Sequence, residues 1–188
     1  MKARRRGPRP PKPGVTRTVE TEAMIRVDHA GEYGARRIYQ GQIAVLEALS
    51  GDAKTLASIR RMAQQEERHL ERFDQLVNER RVRPTALSPV WDMVGFSLGA
   101  ATALLGPRAA MACTAAVEEV IDQHYASQLE RLDADPELRA AVSTFRDDEI
   151  AHREEALAHG AEKAPAYRFL SEGIKAGCRL AIRLSEKI

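Results

Sequence analysis

Between Thr18 and Leu49 the apolar residues Met24, Val27, Ile38, Val45 and Leu46 recur at helical rather than strand spacing, with no proline among them. Ser50-Gly51-Asp52 then supplies a stop and a fresh N-cap, so the pattern predicts a long first helix. A second helix is predicted from about Ala53 to Arg81, carried by Leu56, Ile59, Met62, Phe73, Leu76 and Val77 and ended before Pro84. From there to Val117 the only charged residues are Asp92 and Arg108, and a third, apolar helix fills much of Pro89 to Leu105 before Gly106-Pro107 punctuates the chain. A fourth helix runs from about Arg108 to Leu132. Asp135-Pro136 opens a fifth that reaches about His159, and a sixth covers about Ala166 to Glu186. No segment alternates with period two for long enough to make a strand, so the fold class is all-α. The third helix is the one place where a membrane enters the argument. A span needs about 20 uninterrupted apolar residues, and Asp92, Gly95, Gly99 and Gly106 cut this one. Two readings stay open for it: a helix lying in the membrane interface with Trp91 and Phe96 as anchors, or the most buried helix of the bundle.

Charge changes this picture at one end only. Of the 29 lysines and arginines in the 188 residues, seven fall within the first 17, which contain no acid; the remaining 22 face 27 acids. The formal net charge of +2 therefore hides an acidic body, and nucleic acid is excluded as the partner of the folded part. Pro8, Pro10, Pro11 and Pro13 oppose a helix in the basic segment, and no apolar stretch follows it, so residues 1–17 are expected to be a disordered tail and 18–188 a single domain. Cys113 and Cys178 stand singly in small apolar neighbourhoods, which predicts a reducing compartment and no disulfide framework.

Candidate chemistry comes from a repeat. Glu66 precedes His69 by three positions, and Glu149 precedes His152 by three; on a helix that spacing presents a carboxylate and an imidazole on one face. Glu32 is followed at +7, +10 and +14 by Tyr39, Gln42 and Leu46, and Glu118 by Tyr125, Gln128 and Leu132 at the same offsets. The halves read as two versions of one helical hairpin. Glu32 lies 19 residues before Gly51 and Glu66 lies 15 after it, so at about 1.5 Å per residue the two return to nearly one height on antiparallel helices. The second half repeats this around Asp135-Pro136. Four helices would then deliver Glu32, Glu66, His69, Glu118, Glu149 and His152 to one level of a bundle interior. Four carboxylates and two imidazoles suit two metal ions bridged by carboxylates, the arrangement of ferritin-like di-iron or di-manganese bundles, and such donors favour iron or manganese over thiolate metals.

Other residues have weaker claims. Glu67, Glu119 and Asp148 adjoin the six but point about 100° away around their helices, which predicts surface roles. Asp28 and Asp122, one turn from Glu32 and Glu118, are open between orienting the ligands and not. Tyr39 and Tyr125 face the interior, as core packing or as hydrogen-bonding groups. His29, His124 and His159 have no acid three residues back and are assigned structural or surface roles. The last helix carries Lys175, Arg179, Arg183 and Lys187 at i+4 spacing beside Ile174, Ala181, Leu184 and Ile188. Such a stripe suits anionic lipid, a phosphate-bearing cofactor, a partner protein or plain solvation.

The runs RVDHAGEYGARRIYQGQIAVL around Glu32, ACTAAVEEVIDQHYASQL around Glu118, FRDDEIAH around Glu149 and AGCRLAIRLSE near the C-terminus together resemble the demethoxyubiquinone hydroxylase family of ubiquinone biosynthesis. The resemblance covers everything from about Ala23 onward, and HAGEYGA is its most specific stretch. It implies a ferritin-like four-helix bundle built from two hairpins, with a connecting apolar helix and a C-terminal amphipathic helix. It places the family's iron ligands on Glu32, Glu66, His69, Glu118, Glu149 and His152, two iron ions per chain. The implied activity is O2-dependent hydroxylation of the ring of a polyprenyl demethoxy quinone or quinol, with other ubiquinone-biosynthesis proteins as partners. No nucleotide-binding motif is present, so electrons are expected from outside the chain, with NADH as the family's reductant and Arg179 as the candidate contact. The implied location is peripheral, on the cytoplasmic face of a bacterial membrane or, alternatively, the matrix face of the mitochondrial inner membrane. Two rivals use some of the same features: a rubrerythrin- or ferritin-like iron oxidase or store, and a metal-free helical interaction module. The first has no need of the apolar third helix, and the second leaves six converging ligands buried at a desolvation cost of several kcal/mol.

Overall fold

A computed structural model describes residues 19–49 and 52–188. The basic segment 1–17, expected to be a disordered tail, and the Ser50-Gly51 stop lie outside the described residues. Six α-helices follow in order: α1 (Val19–Ala48), α2 (Ala53–Arg80), α3 (Ser88–Leu104), α4 (Pro107–Leu129), α5 (Pro136–Ala158) and α6 (Tyr167–Ser185), with a single 3-10 turn at Ala161–Lys163 before α6. There is no strand among the described residues. The predicted boundaries hold within two residues, except that α4 stops three residues before Leu132.

The ends are set by local chemistry. Asp52 caps α2, its carboxylate accepting from Lys54 N–H at 3.1 Å and from the Thr55 hydroxyl at 2.7 Å. Arg81 closes the same helix in the left-handed region at φ 55°. Asp135 caps α5 by accepting from Leu138 N–H at 3.1 Å, with Pro136 at the first helical position. Asp135 also pairs with Arg80 at the end of α2, which ties the two hairpins together at one end.

Helices α1 and α2 pack as one antiparallel pair, and α4 and α5 as the other. Their shared interior has three levels. At one end Leu46, Ile59, Met62, Met111 and Ala156 pack together. At the other Ile25, Phe73, Leu76, Leu132, Leu138 and Val142 form a second apolar cluster. The six predicted ligands occupy the level between them.

Helix α3 lies against α1 at backbone distance. A Cβ on Gly99 would collide with the Ile38 carbonyl, one on Gly41 with the Phe96 carbonyl, and one on Gly95 would come to 2.9 Å of the Gly34 carbonyl. The reading of α3 as the most buried helix is therefore corrected. Only Gly95, Gly99, Thr102 and Ala103 are buried in it, whereas α4 is buried continuously from Ala109 to Glu118. Val90, Met93, Val94 and Leu104 stay exposed. The proposed anchors are already engaged within the protein: Trp91 donates its indole N–H to the Ser185 hydroxyl at 3.0 Å, and Arg37 lies over the Phe96 ring. No helix among the described residues is long and apolar enough to cross a membrane.

Candidate metal centre

All six sequence-predicted ligands converge. Glu32, Glu66, His69 and Glu149 offer ligand atoms within 4.8 Å of one another, and so do Glu66, Glu118, Glu149 and His152. Glu66 and Glu149 belong to both groups, one from each hairpin, so the two sets share a carboxylate pair. Every one of the six is buried, Glu66 and Glu149 completely.

The hydrogen-bonding state of the six decides what they are suited to. Tyr39 donates to Glu118 Oε1 at 2.6 Å, and Tyr125 donates to Glu32 Oε1. Each tyrosine thus serves the glutamate of the opposite half. That leaves eight buried atoms of the cluster without a hydrogen-bond partner: Glu32 Oε2, Glu118 Oε2, both oxygens of Glu66, both of Glu149, and Nδ1 of His69 and of His152. Buried polar atoms are almost always satisfied, and eight orphans in one spot are what a cation-binding set presents. The donor set fits two divalent ions: four carboxylates balance their charge, Glu66 and Glu149 have two free oxygens each and face both groups, and Glu32 and Glu118 have one.

Both imidazoles turn Nδ1 inward. His69 Nδ1 lies 3.2 Å from Glu149 and 3.5 Å from Glu32, and His152 Nδ1 lies 3.1 Å from Glu66. Nε2 points outward in both rings, to Asp148 Oδ2 at 3.0 Å from His69 and to Gln65 Oε1 at 3.0 Å from His152. An outward Nε2–H leaves the inward Nδ1 lone pair free to ligate. The assignment of Asp148 to the surface is therefore corrected: it reaches across from α5 to orient His69. Aligning the two halves on Glu66 and Glu149 sets Gln65 and Asp148 at equivalent positions, a signal that lay in the repeat.

Without a cation the level is electrostatically frustrated. Burial, with Glu149 and Glu32 nearby, holds the Glu66 carboxyl well above its ordinary 4.5. Burial and the charges of Glu149 and Glu66 do the same to Glu118. Burial opposes a charge on His69, but Glu149 and Glu32 outweigh it and push the ring up to about 12. Burial likewise opposes a charge on Glu149, yet His152 and His69 draw it down to about 2. A cation bound among these groups would relieve the same crowding of negative charge.

The remaining candidates have other partners. Asp28 accepts from Gln128 at 2.7 Å and meets His124 at 3.2 Å, while Asp122 takes Arg146, so neither orients a ligand histidine. Glu67 pairs with Arg36, and Glu119 with Lys175 and Arg153. His29 bonds Asp74, and His159 bridges Thr55 and Ser58, as structural roles require. Arg179 is exposed on α6 and stands apart from the cluster.

Sequence reasoning missed a cavity of about 460 Å³ between α1, α3, α4 and α6. Its walls are apolar, and glycines make its room: a Cβ on Gly31, Gly34, Gly173 or Gly177 would meet nothing within 4 Å. Gly31 and Val117 line it, and their chain neighbours Glu32 and Glu118 belong to the cluster, so only the α1 and α4 backbones separate the two spaces. The signal was the spacing of Gly173, Gly177, Ala181 and Ser185 along one side of α6.

The chain is 54% identical over 168 residues to a 3-demethoxyubiquinol 3-hydroxylase of Rhodospirillum rubrum, covering 89% of this chain and 78% of that protein. It is 51% identical over 172 residues to the NADPH-dependent 3-demethoxyubiquinone 3-hydroxylase, mitochondrial, of Homo sapiens, covering 89% and 77%. Against the 5-demethoxyubiquinone hydroxylase, mitochondrial, of Saccharomyces cerevisiae the identity is 42% over 183 residues, covering 89% and 78%. The model of the family described as ubiquinone biosynthesis protein COQ7 matches residues 19–185, which takes in all six helices and every residue of the cluster, and the chain belongs to that family.

Proposed function

We propose that this chain is a di-iron hydroxylase acting on the ring of a polyprenyl demethoxyubiquinol or demethoxyubiquinone in ubiquinone biosynthesis. The observation that carries this reading is the pair of Glu/His sets sharing Glu66 and Glu149, with eight orphaned ligand atoms, one helix wall away from an apolar cavity. Residues 18–188 act as one catalytic unit. Glu32, Glu66, His69 and Glu149 would hold one ion, and Glu66, Glu118, Glu149 and His152 the other. Bound iron supplies O2 reduction and oxygen-atom transfer to the ring. Tyr39 and Tyr125 fix the terminal carboxylates by occupying one oxygen of each. The two apolar core levels above and below exclude water from the cluster. The cavity receives the apolar substrate and brings its ring against the α1 and α4 backbones beside Glu32 and Glu118.

The exposed Val90, Met93 and Val94 of α3 and Phe169 and Leu180 of α6 support a peripheral seat on a membrane, from which a lipid-soluble quinone enters without crossing water. The seat is the cytoplasmic face of a bacterial membrane, or the matrix face of the inner membrane in a mitochondrion. Electrons come from an external nicotinamide dinucleotide, and the exposed Arg179 and Arg183 of α6, with Lys187 just beyond its end, form its contact. The test is anaerobic loading of the full chain with Fe(II), followed by addition of O2, NADH and a short-chain demethoxy quinone. About two iron ions per chain and a ring-hydroxylated product are expected. Retention of fewer than about one ion per chain, or full loading with iron oxidation and no ring product, overturns the reading in favour of an interaction module or an iron oxidase respectively.

A further inference from the structure

The two halves supply matching ligands but unmatched outer partners. His69 Nε2–H donates to the carboxylate of Asp148, and His152 Nε2–H to the amide oxygen of Gln65, both at 3.0 Å. These two residues are equivalent in the repeat, each immediately preceding the Glu of its Glu-x-x-His unit and each reaching across to the histidine of the other half. The packing differs as well. Phe145, four residues before Glu149, stacks on the His69 ring with centroids 4.1 Å apart and planes at 27°, while the equivalent position in the first half is Met62, whose sulfur faces the Tyr39 hydroxyl. The His69 ring is thus gripped by a stacked aromatic ring on its face and an anionic acceptor on its outer nitrogen. His152 has a neutral acceptor.

We propose that Asp148 and Gln65 are positioning residues that make the two metal positions unequal, so that the position beside His69 binds its ion first and more tightly than the position beside His152. The inference rests on the di-metal reading of the site. A carboxylate behind a ligating imidazole raises the basicity of the nitrogen facing the metal, and loss of such a partner typically changes metal affinity 10- to 100-fold, whereas an amide orients the ring without that push. Asp148 is 35% exposed at its side chain, so its charge costs little desolvation, and because the His69 ring is buried and the bond is 3.0 Å long, solvent screening reduces the push on the ring without removing it.

The experiment titrates the metal-free full chain with Co(II), reading each ion's uptake from its visible absorption, in the wild type and in Asp148→Asn, Gln65→Glu and the double variant. Two resolved steps are expected in the wild type. Asp148→Asn should weaken the first step about 10-fold with the second unchanged, and Gln65→Glu should strengthen the second by a similar factor, so both narrow the ratio between steps. The double variant should restore a wide ratio with the order of filling reversed. Thermal unfolding of the metal-free variants verifies that each folds, and a merely structural role would weaken both steps together in both single variants. Two ions bound with an unchanged ratio in both single variants, or both steps falling together, overturns the inference and leaves the metal centre standing. Failure of the wild type to bind Co(II) at all brings down the centre and the inference with it.

Discussion

The two spaces flanking the α1 and α4 backbones are opposites in what they lack. The cluster between the apolar core levels has side chains in excess of what their own charges tolerate: eight ligand atoms without hydrogen-bond partners, two carboxyls pushed well above their ordinary range and an imidazole pushed up to about 12. The cavity on the other side has volume in excess of what its side chains fill, because glycines stand where a methyl group would meet nothing. Folding alone favours neither, since crowded buried carboxylates and unfilled apolar volume each cost stability. The comparison teaches that each space is shaped for something the chain does not contain, a cation in one and an apolar molecule in the other.

The sharpest way to break the comparison is to empty one space and probe the other. Glu149→Ala removes a carboxylate common to both Glu/His sets, so metal content should fall below one ion per chain and turnover by at least about 100-fold, beyond what loss of an outer partner does. Uptake of a prenyl quinone by the metal-free cavity, followed by fluorescence quenching, should stay within about two-fold of wild type. Coupled loss of both would show that the spaces are one site. The converse variant, Gly177→Leu, places a side chain in the open cavity and should raise the quinone KM about 10-fold, with two metal ions still bound. Loss of metal there would sink the separation.

The smallest effect is electrostatic. Glu66 and Glu118 lie above 4.5 in the folded metal-free chain, and His69 is raised from 6.5 to about 12, so the folded state binds more protons than the unfolded one above those ordinary values. Metal-free stability should therefore fall by on the order of 1 kcal/mol between about pH 5 and pH 8. Glu149, drawn down to about 2, adds stability only as pH rises from about 2 to 4.5, which leaves the maximum in the weakly acidic range. Metal loading replaces the bound protons and should abolish the decline; thermal melts of both forms across pH check it. A decline that persists with metal bound would place its origin outside the cluster.

The charged space was legible in the sequence and the empty one was not. Glu-x-x-His twice, with Glu32 and Glu118 in matching register, fixes four helices around one level, because helical rise converts sequence distance into height. Asp148 was misjudged because its angle on α5 points away from its own ligand neighbour, and only the packing of the two hairpins shows that it meets His69 of the other. The cavity escaped because a void is a relation among four helices. The small-residue spacing on α6 marks a close approach of some kind, but nothing in the sequence tells Gly31, Gly34, Gly173 and Gly177, which meet open space, from Gly95 and Gly99 on α3, which meet backbone.

The crossed bonds of the tyrosines have a consequence for how such a centre can be built. Tyr39 serves Glu118 and Tyr125 serves Glu32, so neither hairpin completes its own ligands, and an isolated half would be an unfinished part. Two identical hairpins brought together as a symmetric dimer would satisfy the same exchange, but they would be bound to carry the same residue at every equivalent place. Joining the hairpins in one polypeptide lifts that constraint. It lets Thr114 stand where the first half has Asp28, and Asp148 where it has Gln65, so that a nearly symmetric frame can present two ligand sets whose surroundings are not alike.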